Sequence, residues 1–163
     1  MLVLLSGTAC VSRFSTNQVG PADSKDFVAD YYKAMAFYEN QDYVNALSAF
    51  KALAIQGDDL AQLYVGNMYE RGEGVAQDDV EAMRWYRMAA EQGYVDAQLN
   101  MAEMYSNGMG TPTDYVQAYA WWTLAADQGD DSAVNSRALI VSRMTADQVL
   151  AAEQFVQVWR HKK

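Results

Sequence analysis

The sequence repeats with a period of 36 residues, and this period constrains the fold more than any other feature. Asp42, Asp78 and Asp114 are spaced by 36 (78 − 42 and 114 − 78). A chain with one period in this range forms a solenoid, in which each unit buries its apolar face by stacking on the next. The same register is kept by Ala46, Ala82 and Ala118, by Phe50, Tyr86 and Trp122, by Ala54, Ala90 and Ala126, and by Gln56, Gln92 and Gln128.

Spacing inside each unit predicts helices. Val80, Met83, Tyr86 and Ala90 recur at intervals of three and four residues, which is the pattern of an amphipathic helix and excludes a strand period of two. Asp78 precedes this pattern as an N-cap candidate, with Glu81 three residues later. Each such helix is followed by a glycine suited to a left-handed helix stop. These glycines are Gly57, Gly93 and Gly129.

A small residue recurs in the other helix of each unit. Gly66 lies in the middle of its predicted helix, where glycine costs about 1 kcal/mol relative to alanine. Ala102 and Ala138 occupy the same position one and two periods later. We therefore expect a neighbouring element to approach the backbone closely at this position.

Two segments carry a resemblance to a known family. In the first, residues 61–93, the matching positions are Ala61, Gly66, Met68, Tyr69, Gly72, Gly74, Asp78, Ala82, Trp85, Tyr86, Ala89, Ala90 and Gly93. In the second, residues 97–129, they are Met104, Tyr105, Gly108, Gly110, Asp114, Ala118, Trp121, Trp122, Ala125, Ala126 and Gly129. This pattern resembles the Sel1-like repeat family, a branch of the tetratricopeptide-like α-solenoids. The resemblance implies an all-α, right-handed α-solenoid of about four antiparallel helix pairs.

The domain organisation follows from the repeat boundaries. We expect one helical repeat domain over residues 25–163, with an N-terminal cap pair at 25–57, full repeats at 58–93 and 94–129, and a C-terminal cap pair at 130–163. The segment Thr145 to Gln148 is a capping box that opens the last helix. The outer face of this helix, with Gln148, Glu153 and Gln157, is predicted to be polar because it ends the stack. Residues 11–24 are rich in Ser, Asn, Gly and Pro and are predicted to form a flexible tether.

The first ten residues, MLVLLSGTAC, form a short apolar run that ends at the only cysteine. This run resembles the end of a bacterial lipoprotein signal, in which the cysteine is lipidated. The resemblance implies lipidation at Cys10 and a periplasmic or outer-membrane location in the bacterial envelope. An unprocessed apolar tail or a buried free thiol is the alternative.

Composition excludes several classes of function. The net charge of −9 argues against binding to nucleic acid or to anionic lipid. His161 is the only histidine and Cys10 the only thiol, so a Cys-His or Ser-His-Asp centre and a His-rich metal site lack their residues. Three acidic doublets could be calcium ligands, but each stands at a predicted helix start, where capping explains it better. They are Asp58-Asp59, Asp78-Asp79 and Asp130-Asp131. We therefore predict no catalytic residues, no metal and no cofactor.

The Gly-x-Gly segments and the aromatic pairs have structural interpretations. Gly72 and Gly74 follow a helix instead of a strand, which argues against a phosphate loop. The pairs Trp85-Tyr86 and Trp121-Trp122 lie at interior positions of the repeat, so packing between helices explains them better than a ligand cage does.

If the first helix of each pair lines the concave side, as in tetratricopeptide relatives, one set of side chains faces a groove. The set mixes apolar residues, amides and both charges, which suits an extended peptide. It comprises Tyr31, Met35, Tyr38, Leu63, Asn67, Glu70, Arg71, Leu99, Glu103, Asn107, Asn135 and Arg143.

The leading hypothesis is a non-enzymatic interaction scaffold of the bacterial envelope that binds a protein or peptide along this groove. Nucleic acid is not expected as a partner, and a membrane is expected only through a lipid anchor at Cys10. The alternatives are a cell-wall or sugar-active enzyme or cell-wall-binding protein, and an immunity protein whose acidic fold faces a basic toxin.

Overall fold

A computed structural model describes residues 24–161, with side chains from residue 27 onwards. The segment 1–10 with Cys10, and the tether up to residue 23, lie outside the described residues. Within the described part the chain forms eight α-helices and no strand. They are α1 (Ser24–Glu39), α2 (Tyr43–Ile55), α3 (Asp59–Arg71), α4 (Asp79–Gln92), α5 (Val95–Asn107), α6 (Tyr115–Ala126), α7 (Asp131–Val141) and α8 (Ala146–His161).

The helices stack in chain order. From α1 to α7, each helix packs against the next one along the chain. The apolar interior consists of two buried clusters that meet at α3: one joins α1, α2 and α3, and the other runs from α3 to α8. The prediction of an all-α solenoid is therefore confirmed.

Cap residues fix where the helices begin and end. The Asp78 carboxylate accepts hydrogen bonds from the backbone N–H groups of Val80 and Glu81, both at 3.0 Å, and Asp114 does the same one period later. Thr145 and Gln148 form the reciprocal capping box, at 2.9 and 3.3 Å. These contacts satisfy N–H groups that the first turn of a helix leaves without partners.

The mid-helix glycine is required by an aromatic ring of the next helix. A Cβ atom added to Gly66 would lie 2.5 Å from Cδ1 and Cε1 of Tyr86, whose side chain is fully buried. The expected close approach at this position is confirmed. The separation of α3 from α4 is thus set by the ring of Tyr86 resting on the α3 backbone.

The second glycine of each Gly-x-Gly segment joins one unit to the one before it. Gly74 has a φ of 73°, and a Cβ atom there would lie 2.4 Å from the backbone oxygen of Tyr43 at the start of α2. Gly110, with a φ of 67°, meets the backbone oxygen of Asp79 in the same way at 2.5 Å. Only glycine combines this backbone conformation with this contact.

Glutamine side chains tie successive units together at a constant register. The buried Gln62 donates through Nε2 to the backbone oxygen of Ala54 at 3.0 Å, and its Oε1 accepts from Gln92 Nε2 at 2.9 Å. One period later, Gln98 donates to the Ala90 oxygen at 3.2 Å and accepts from Gln128 at 2.9 Å. Gln62 thus has partners in α2 and α4, whereas Gln98 has partners in α4 and in the turn that follows α6.

A cation and a phenol form a second periodic contact. Lys51 of α2 donates to the hydroxyl of Tyr69 at 2.6 Å, and 36 residues later Arg87 of α4 donates to the hydroxyl of Tyr105 at 2.8 Å. The register ends at α6, where Thr123 instead donates to the Tyr119 backbone oxygen.

Helix α8 takes a different position from the second helix of the inner pairs. It packs mainly against α6 and makes few contacts with α7. The rings of Phe155 and Trp159 lie edge-on to Trp121 of α6, with centroids 6.2 and 5.2 Å apart. Ala152 and Val156 are buried beneath them. The aromatic surface of α6 thus draws the last helix away from its sequence neighbour.

Glu153 differs from its sequence-based assignment. The pattern placed it on the polar outer face of the last helix, but it is half-buried and accepts a hydrogen bond from the hydroxyl of Tyr119. Burial, and then the Glu153 carboxylate, raise the pKa of Tyr119 above its ordinary value. The phenol therefore stays protonated and helps to hold α8 on α6.

Candidate functional site

The surface formed by the first helices carries most of the residues that the sequence suggested for partner binding; we call it the first-helix surface. Tyr31 and Leu63 are an exception, because the structure buries both in the apolar clusters. Their placement on an exposed face is therefore corrected. Glu103, Asn107, Asn135, Arg71 and Arg143 are exposed, and Met35, Tyr38, Asn67, Glu70 and Leu99 are half-buried.

The best-defined part of this surface is a phenol with polar partners from two helices. The hydroxyl of Tyr86 lies 2.6 Å from Asn67 Oδ1 and 2.5 Å from Glu70 Oε2. The side chain of Asn100 of α5 also interacts with this phenol and acts to lower its pKa. Since the ring comes from α4, it crosses the α3 backbone at Gly66 and delivers its hydroxyl to the first-helix surface. The cluster thus joins both full repeats.

A second phenol and carboxylate meet beside this cluster. The Tyr38 hydroxyl of α1 donates to Glu73 Oε2 at 2.8 Å. Glu73 is the middle residue of a Gly-x-Gly segment, and the second glycine of this segment, Gly74, lies against the start of α2. The turn between α3 and α4 therefore places a carboxylate against the end of α1.

Both phenols are neutral hydrogen-bond donors. Burial, followed by the hydrogen bond and charge of Glu73, raises the pKa of Tyr38 above its ordinary value. For Tyr86, burial and then Glu70 raise the pKa still further above the ordinary range of a phenol. Each neutral phenol can donate its proton in a hydrogen bond to the carboxylate beside it and so orient that side chain.

The carboxylates of Glu70 and Glu73 form no ion pair with the side chains that the structure describes. In the part of the chain from residue 27 to 161, the ion pairs are Arg84 with Glu81 and Arg160 with Asp127, and neither lies on the first-helix surface. Arg71, next to Glu70 in the chain, is exposed. The surface therefore offers both signs of charge together with fixed amide and phenol groups.

Three parts of this site were not found by sequence reasoning. Glu73 was read only as the variable residue of a glycine segment, and Asn100 was not selected. Tyr86 was assigned to the interior, which is correct for its ring but not for its hydroxyl. The period of 36 residues could have indicated them. Tyr86 lies opposite the small-residue position of Gly66, and Glu73 lies between the two glycines of the repeat's loop.

Metal sites and membrane-spanning helices were also sought among the residues that the structure describes. No group of three or more His, Cys, Asp or Glu side chains is placed to hold a metal ion there. Within the same described residues, no helix is long and apolar enough to cross a membrane.

Comparison with known families matches the repeats directly. A profile of the Sel1 repeat fits residues 59–94 and 95–130. The chain contains two Sel1 repeats. Sel1-repeat proteins generally act as scaffolds for interactions between proteins and typically lack catalysis. Comparison with curated proteins gave no match.

Solved structures of Sel1-like repeats have the same fold. One is c5321, described as a protective antigen present in uropathogenic Escherichia coli strains and displaying an SLR fold. It is 31% identical, with a TM-score of 0.77 over 83% of this chain and 30% of its own length. A Sel1 repeat protein from Oxalobacter formigenes is 31% identical, with a TM-score of 0.58 over 64% of this chain and 41% of its own length.

A third structure supports the fold alone. The cysteine-rich protein B of Helicobacter pylori is 17% identical, with a TM-score of 0.55 over 72% of this chain and 98% of its own length. By contrast, this chain spans less than half the length of the first two Sel1-repeat structures.

Proposed function

We propose that this Sel1-repeat protein is a non-enzymatic scaffold that binds a protein or peptide segment along the first-helix surface. The general role of Sel1 repeats in protein interaction supports this proposal. The partner would lie across α3 and α5 and contact the amides, carboxylates and exposed arginine described above.

The observation that carries the proposal is the fixed arrangement around Tyr86. Its hydroxyl contacts Asn67 and Glu70 at 2.6 and 2.5 Å, so polar groups on this surface are ordered before any partner arrives. Side chains that are already ordered lose less conformational entropy on binding, which favours affinity. The other functions suggested by the sequence, a cell-wall or sugar-active protein and an immunity protein, stay predictions that no described contact favours.

The binding surface is tested by reversing exposed charges on it. We expect the double variant Arg71→Glu with Glu103→Lys to lose partners that the unaltered protein captures from an envelope extract. Both residues are exposed on first helices, so the fold should persist. Quantitative proteomics of the captured proteins measures the effect.

The matched control is Arg84→Glu with Glu91→Lys on α4, which makes the same charge changes at exposed positions of a second helix. Partners that are lost with the first variant and kept with the control support the proposal. Equal recovery with both variants, each with unchanged circular dichroism, would show that the first-helix surface does not bind them.

We also propose that the protein is a lipoprotein of the bacterial envelope. The support is the sequence MLVLLSGTAC, which ends at Cys10 and resembles the end of a bacterial lipoprotein signal. The helices would then be held off the membrane by residues 11–24.

The lipid anchor predicts a change in fractionation. When the protein is expressed in a Gram-negative host, we expect it in the membrane fraction, from which detergent should release it. The Cys10→Ser variant should instead be found in the soluble fraction. Metabolic labelling with a fatty acid provides the direct measurement. An unlabelled protein that fractionates like Cys10→Ser would contradict the anchor.

A further inference from the structure

Helix α7 exposes a stripe of small and apolar residues. The equivalent positions in the preceding unit are buried. Val134 and Val141 are 41% and 40% exposed, and Ala138 between them is also exposed. One period earlier, the corresponding residues of α5 are 1%, 0% and 9% exposed; they are Gln98, Ala102 and Tyr105. The same positions are therefore interior in α5 and open in α7.

The inner repeats show what covers such a stripe. Gln62 of α3 hydrogen-bonds both to α2, through the Ala54 oxygen, and to α4, through Gln92. Gly66, one turn further, lies under the ring of Tyr86 from α4. The stripe of a first helix is thus enclosed between the second helix before it and the second helix after it.

Helix α7 has only one of these two neighbours. It packs against α6, but α8 lies mainly on α6 and makes few contacts with α7. Tyr119 with Glu153, Arg160 with Asp127, and the rings around Trp121 hold α8 in that place. The position of a following second helix is consequently open, and Leu139 beside it is 74% exposed.

We propose that the α7 stripe, Val134, Ala138 and Val141, binds an amphipathic helix of a partner protein. The surface continues the row of interfaces between first and second helices, so the bound helix should resemble a second helix of a repeat. Helix α4 carries Ala82, Tyr86 and Ala90 at intervals of four, and α6 repeats this pattern. The partner helix therefore has an aromatic residue over Ala138 and a small residue four positions to either side.

Charge further defines the partner helix. Arg143 is exposed just beyond the end of α7, where the inner second helices begin with aspartate caps. A helix that runs antiparallel to α7 brings its first turn to this arginine. An acidic residue in that first turn complements both the arginine and the helix dipole. Binding by an amphipathic helix in a groove is a common mode of recognition between proteins.

The test uses a helix of known fit as the probe. Because Ala138 corresponds to Ala102, the probe takes the sequence of α6, the second helix that follows Ala102. A fluorescent peptide of residues 114–128 contains Asp114, Ala118, Trp122 and Ala126, and its binding to the full chain is followed by anisotropy. We expect saturable binding that weakens at least about tenfold when Ala138→Arg is introduced into the protein. The same loss is expected for a peptide in which Trp122 is replaced by alanine.

Ala151→Arg provides the matched control, since Ala151 is an exposed alanine on α8. Binding should persist in this variant. The proposal is overturned if the peptide fails to bind, or if Ala138→Arg or the alanine peptide binds like the original. Self-association of the protein that is abolished by Ala138→Arg, as measured by sedimentation, would also overturn it by assigning the stripe to a second copy of the chain.

Discussion

Gly110→Ala is expected to lower the free energy of unfolding by about 2–4 kcal/mol, the sum of a left-handed backbone cost and an overpacking cost. The new Cβ atom would lie 2.5 Å from the backbone oxygen of Asp79 and 2.7 Å from its carbonyl carbon. Backbone atoms at the start of α4 cannot move without disturbing the capped helix. The junction between the two full repeats must therefore open, and urea denaturation should detect the loss.

Gly129→Ala separates the two contributions. Its φ of 93° is also left-handed, but no atom lies within 4 Å of the added Cβ position. This variant should lose only the backbone cost, about 1 kcal/mol. Equal losses in Gly110→Ala and Gly129→Ala would mean that the contact with Asp79 does not hold the repeats together.

Tyr86→Ala is expected to cost about 3–5 kcal/mol, as is typical for removing a large buried aromatic side chain. The ring is fully buried against Gly66, and its loss leaves a cavity between α3 and α4. Tyr86→Phe keeps the ring and removes only the hydroxyl shared with Asn67 and Glu70, so it should cost about 1–2 kcal/mol. Thermal and urea unfolding of both variants provide the comparison.

The same phenol predicts how stability depends on alkaline pH. In the unfolded chain Tyr86 ionises near its ordinary pKa of 10.0, whereas in the folded chain burial and Glu70 raise its pKa above that value. The stabilisation is therefore complete below pH 10.0 and is lost as the pH rises above it. Unfolding free energies measured on both sides of this value should fall less steeply for Tyr86→Phe than for the unaltered protein. Parallel slopes would place the hydroxyl in contact with solvent.

The period of 36 residues was sufficient to predict the fold because each unit repeats the same capping residues and the same helix periodicity. Asp78 and Asp114 cap helices where the sequence placed them, and the capping box at Thr145 and Gln148 is formed. The match of the Sel1 repeat to residues 59–94 and 95–130 rests on this local pattern. Capping and helix periodicity depend on neighbours within a few residues, so one sequence reveals them.

The candidate site was predicted less completely, since spacing gives the face of a helix but not the depth of burial. Tyr31 and Leu63 share the register of exposed positions, yet they are buried. Conversely, Tyr86 belongs to the interior of its helix, yet its hydroxyl emerges beside Glu70. Because Gly66 has no Cβ atom, the ring of Tyr86 can pass over the α3 backbone and place its hydroxyl on the far side.

The sequence by itself determined the helices, their caps and the stacking of repeated units, because these features arise from contacts that are local or recur at one period. The tertiary structure alone decided which polar groups meet on the first-helix surface and where the last helix lies. No spacing indicated that α8 would pack on α6 and leave the α7 stripe open. That outcome depends on competition between surfaces far apart in the chain, and in α6 the ring of Trp121 packs against Phe155 and Trp159.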